Sequence, residues 1–148
     1  MTLKERLQED WKTALKSKDK FKASTISMAK SAVLFAEKTD GVELDDAKVV
    51  DVLAKEVKQR RDSVLEFEKG NRQDLVDQTK AEIEILLNYL PQQLSESEIS
   101  DIVRKTVDEM GANSMKDMKA VMAIVTPLIK GRADGKMVSK LVRDSLNK

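Results

Sequence analysis

A chain of 148 residues holds one ordinary domain or two small ones, and 41% hydrophobic with 36% charged residues fits several amphipathic helices with wide solvated faces. Cysteine and histidine are both absent, which excludes disulfides, thiolate metal sites, cysteine nucleophiles and the Ser-His-Asp and zinc-protease arrangements. A net charge of +1 argues against non-specific nucleic-acid binding through the whole surface, so any such binding must be local.

Glycine and proline are scarce and the apolar residues recur at helical spacing, so the fold class is all-α. Leu3, Leu7, Trp11, Ala14 and Leu15 share one face of a first helix from Thr2 to about Lys18. Phe21, Thr25, Met28, Ala29, Ala32, Val33, Phe35 and Ala36 mark a second helix that ends before Thr39-Asp40-Gly41. Asp45 then caps the longest helix, with Leu44 stapled to Val49, and Gly70-Asn71 stops it. In its middle, Lys55 to Asp62 is either a solvated face laced with pairs such as Glu56 and Arg60, or a basic contact strip. A fourth helix runs from Gln73 to Leu90, where Pro91 ends it, and the short Gly-Asn link makes helices three and four an antiparallel hairpin.

A new capping box, Ser95 with Glu98, follows at once, so the domain boundary falls between 1–93 and 94–148. The fifth helix ends at Gly111. Ser114 is read as the cap of a sixth helix containing Pro127, and Asp134 as the cap of a seventh after Gly131. These three short helices form a small second module, marginal alone, that leans on the first. From Gly111 onward eight cations (116, 119, 130, 132, 136, 140, 143, 148) face three acids (117, 134, 144). The methionines at 115, 118, 122 and 137 are read as core filler, and Trp11 as packing.

Four stretches, KEVKQRRDSVLEFEKGNRQDLVDQ (55–78), YLPQQLSESEI (89–99), GANSMKDMKAVM (111–122) and KGRADGKMVSKLV (130–142), resemble the YqeY-like family. That family is related to the C-terminal tail of the amide-transferring subunit of the glutamine-dependent Asp-tRNA/Glu-tRNA amidotransferase, a tail that helps hold the tRNA. The resemblance implies a tRNA-binding or amidotransferase-associated helical module without catalysis of its own. A label of carbon-nitrogen ligase with glutamine as amide donor would describe a partner's chemistry. Carried over, the RNA-facing positions are Lys116 and Lys119 and the turn Gly131, Arg132, Gly135 and Lys136, with Lys58, Arg60 and Arg61 as a second patch. The family pattern has glycines where this chain has Lys119 and Ala123, and an arginine where it has Ser27.

The same turn also has an explanation that needs no ligand, since Gly131 can end one helix and Asp134 can cap the next. Few aromatics means no stacking platform, so structured RNA read by shape and backbone is the better target. The partners implied are tRNA and an aminoacyl-tRNA amidotransferase or synthetase. The alternative is a helical protein-interaction adaptor whose basic face docks an acidic partner. No cofactor, metal or membrane is expected, and with no apolar leader in MTLKERLQEDWK the expected location is cytoplasmic.

Overall fold

The computed structural model describes residues 1–147; Lys148, the last of the eight C-terminal cations, lies outside the described residues. It is all-helical: α1 (Leu3–Lys16), α2 (Lys20–Asp40), α3 (Asp46–Lys69), α4 (Gln73–Leu87), α5 (Glu96–Met110), a 3-10 turn (Met115–Asp117), α6 (Met118–Ile129) and α7 (Gly135–Leu146). The chain forms two compact units, Met1–Pro91 and the part from Gln92 on.

In the first unit α1 packs on α2, and α3 on α4. Its core holds Leu7, Ile26, Ala29, Val33, Leu53, Val57, Val76, Ile83, Leu86 and Tyr89. Asp45 caps α3 by accepting the Lys48 N–H, and Thr2 caps α1 by accepting from Glu5. α2 touches α1, α3 and α4, so its buried arc is set by three neighbours: Ala23 and Ile26 go in, while Met28 and Phe35 stay out, Phe35 at 73% exposure. Leu15 on α1 is likewise exposed, because Ala14 takes the inward position beside it. α4 stops at Leu87 rather than Leu90. Asn88, Tyr89 and Leu90 donate to the carbonyls three residues back, the tightened winding common at helix ends.

Each helix of the second unit gives its core three side chains at i, i+4 and i+8: Ile99, Val103 and Val107; Val121, Val125 and Ile129; Val138, Val142 and Leu146. Four-residue ridges of this kind are what packed helices interdigitate. The capping box at Ser95 and Glu98 is formed, and Gly111 ends α5 in the left-handed region. Ser114 does not cap. Nor does the Asp117 side chain bond a helix N–H; its carboxylate accepts the upstream Asn113 N–H at 3.0 Å, and the chain winds a 3-10 turn before α6 begins. Met118 and Met122 pack on the core, whereas Met115 and Met137 are exposed, because the side chains of these ridges already fill the interior.

Candidate functional site

The α6–α7 connection is built on its own backbone. Pro127 has no N–H to give the Ala123 carbonyl, Lys130 leaves helical geometry, and Gly131 turns the chain at φ 75°, which a side chain would resist. The Arg132 N–H then donates to the Ile129 carbonyl at 2.8 Å, and Asp134 caps α7 by accepting the Lys136 N–H at 3.0 Å. Residues 92–94 run across this turn. The Gln93 side-chain amide donates to the Gly131 carbonyl at 2.8 Å, the Leu94 N–H to the Arg132 carbonyl at 2.8 Å, and Arg132 Nε to the Gln92 carbonyl at 3.2 Å.

Arg132 is therefore half-buried and partly spent on holding the strap. Its charge is also the smallest of the influences that lower the Glu98 carboxyl; the Ser95 N–H and hydroxyl come first. The anion position at the start of α7 is already filled by Asp134. Gly135 has an ordinary backbone conformation, and a Cβ there would meet open space, so neither the fold nor a cradle demands a glycine. Lys136 is exposed beside it.

Lys116 and Lys119 lie at the other end of α6, whose twelve residues span about 18 Å. Both are exposed, and neither makes an ion pair among the described residues. The structure thus brings Gly131, Arg132, Gly135 and Lys136 into one turn and keeps Lys116 and Lys119 apart from it. Lys58, Arg60 and Arg61 belong to α3 of the first unit and do not form one patch. Lys58 is exposed and Arg61 half-buried three residues on. Arg60 points into the unit with its side chain 13% exposed, its Nε 3.1 Å from Glu82 Oε1 on α4 and its Nη1 3.4 Å from Glu56 Oε1. It is a cross-link between helices.

Two groupings carry no plain signal in the sequence. The buried Tyr89 hydroxyl donates to Asp10 Oδ2 at 2.5 Å, and the Arg6 guanidinium lies 4.7 Å from its ring centre while donating to the Asn88 carbonyl. Burial first, then the hydrogen bond to Asp10, pushes the phenol up from its ordinary value. The partners are 79 residues apart, so no local signal could reveal them. The second is the α1–α2 apex, where LKSKDKFK is visible as a charge run but is outweighed by the larger basic excess after Gly111. Among the described residues no cluster of three His, Cys, Asp or Glu could hold a metal ion, and no helix is long and apolar enough to cross a membrane.

A family model described as Yqey-like protein matches residues 4–146. The chain is 31% identical over 142 residues to the protein named altered inheritance of mitochondria protein 41, mitochondrial, from Pyrenophora tritici-repentis, covering 94% of this chain and 78% of that one. The proteins of the same name from Lachancea thermotolerans (38% identical; 70% of this chain, 57% of that one) and Kluyveromyces lactis (39%; 56% and 45%) match a shorter stretch. In these two the matched stretch is about half of their own length. The relatives' names overturn the cytoplasmic expectation, since they point to mitochondria. The physical reason is that mitochondrial targeting segments are amphipathic and arginine-rich, so a missing apolar leader carries no information about that compartment.

Proposed function

This chain belongs to the YqeY-like family, and on that premise we propose that it is a non-catalytic helical module that holds structured RNA, tRNA in the first place, for an associated amidotransferase or synthetase. The observation that carries this reading is the sorting of charge in the second unit. α5 carries five acids against Arg104 and Lys105, while from Gly111 on the cations dominate and Lys116, Lys119 and Lys136 stand exposed. Exposed lysines contact phosphates without reading bases, which suits recognition by shape. Any glutamine-dependent carbon-nitrogen ligation would be the partner's chemistry, for this chain has neither cysteine nor histidine.

Binding of bulk tRNA by the full chain, against double-stranded RNA of equal length and across a salt series, tests the proposal. tRNA should bind more tightly. Replacing Lys116, Lys119 and Lys136 together by glutamine should weaken binding and flatten the slope of log affinity against log salt by roughly one for each phosphate no longer neutralised. Absence of binding at physiological salt, or an unchanged slope in the variant, refutes the reading.

One observation favours the second reading, a protein-interaction adaptor. α6 carries no charge from Ala120 to Ile129, yet Ile124 and Leu128 are exposed, Leu128 at 54%. Substituting both by serine should leave tRNA binding intact if that face serves a protein.

A further inference from the structure

The turn between α1 and α2 concentrates one sign of charge around two exposed apolar side chains. Lys12, Lys16, Lys18, Lys20 and Lys22 are all exposed within it, and Asp19 is the only acid among residues 12–22. That carboxylate is occupied, because Asp19 caps α2 by accepting the Lys22 N–H at 3.0 Å. Lys12 has a weak exposed partner in Glu9 at 3.9 Å. Leu15 in the last turn of α1 and Phe21 in the first turn of α2 flank the apex at 50% and 39% exposure.

The backbone is held in a six-residue helix stop. The Asp19 N–H donates to the Ala14 carbonyl at 2.9 Å and the Lys18 N–H to the Leu15 carbonyl at 3.2 Å, which puts Lys18 in the left-handed region at φ 62°. Glycine is the usual residue at that position, because a Cβ there crowds the following carbonyl. The chain uses Asn71 and Gly111 at the corresponding ends of α3 and α5, and only here a lysine. A charge thus occupies the apex where glycine would be more stable.

We infer that this apex docks on an anionic bilayer surface, with Lys16, Lys18, Lys20 and Lys22 against the headgroups and Leu15 and Phe21 entering the acyl boundary. Basic side chains alone would suit any polyanion. The two exposed apolar side chains between them favour a lipid surface, since leucine gains nothing from a phosphate backbone and a great deal from hydrocarbon.

Sedimentation of the full chain with vesicles of phosphatidylcholine, and of phosphatidylcholine mixed with phosphatidylserine, tests this directly. The anionic vesicles should bind more tightly, by about fivefold for each lysine engaged. Changing Lys16, Lys20 and Lys22 to glutamine should cost on the order of a hundredfold. Lys18→Gly should weaken vesicle binding while leaving the fold at least as stable, which a purely structural lysine would not do. The double variant Leu15→Ser with Phe21→Ser, both exposed and dispensable to the core, should lose at least about tenfold. Equal binding to neutral vesicles, full binding by the serine variant, or loss of tRNA affinity instead of vesicle affinity in the glutamine variant would overturn the inference.

Discussion

Replacing Arg60 by alanine removes the ion pair to Glu82 and the bonds to the Glu56 side chain and carbonyl, and leaves two carboxylates facing a space that held their cation. Fully exposed pairs contribute up to about 1 kcal/mol, and breaking a fully buried one costs about 3–5 kcal/mol. Here the partners are nearly shielded, with the Glu82 side chain at 12% exposure. The expected loss is intermediate, about 2–3 kcal/mol. Arg60→Lys keeps the charge without the fork and should lose about half of that. Urea unfolding followed by Trp11 fluorescence reads the first unit alone, since Trp11 is the chain's only tryptophan; the midpoint should fall with no change in slope. Replacing Arg60 and Glu82 together by methionine should recover part of the loss, because no buried charge is then left unpaired. An Arg60→Ala variant with an unchanged midpoint but weakened tRNA binding would refute the structural role and restore Arg60 to the contact surface.

Other outcomes follow from the same reasoning. Tyr89→Phe keeps the ring but strips Asp10 of its shortest donor, and should cost about 2 kcal/mol by the same Trp11 readout. Because the native state holds the Tyr89 proton more tightly than the unfolded chain, this contribution is intact below pH 10.0 and is lost as pH rises past it. Tyrosinate absorbance from this single tyrosine should therefore appear only well above that pH, or together with unfolding. Lys18→Gly should stabilise the first unit by about 0.5–1 kcal/mol, the relief at a left-handed residue less the added freedom of the unfolded chain; a destabilised variant in thermal melts would contradict it. Glu98, held down by the Ser95 N–H and hydroxyl, and Glu37, held down first by Lys4, should titrate below the ordinary 4.5 by NMR. Their folded values are depressed, so their stabilisation is present above that pH and fades as pH falls. Glu98→Gln should flatten the acid limb of the melting curve.

Whatever depends on neighbours within about four residues was legible in the chain itself. The caps at Asp45 and Asp134, the Ser95–Glu98 box and the helix end at Gly111 stand as the residue types require, because a side chain bonds a backbone N–H a few positions away wherever the chain goes next. The all-helical class follows from the same periodicity, and four long stretches carried the family resemblance. Ser114 is the local exception, since its hydroxyl bonds no helix N–H and a 3-10 turn precedes α6. What the tertiary structure alone decided is which side of each helix meets a neighbour. Arg60 reads as one of three nearby cations or as the partner of Glu56; that pair forms, but only Glu82, 22 residues on, ties it across to α4. Ile26 is buried and Phe35 exposed because α2 is gripped from three sides. Tyr89, in the turn that follows α4, meets Asp10 of α1 only across 79 residues of folded chain. Burial and long-range ion pairing depend on surfaces brought together by the whole fold, and no window of sequence contains both of them.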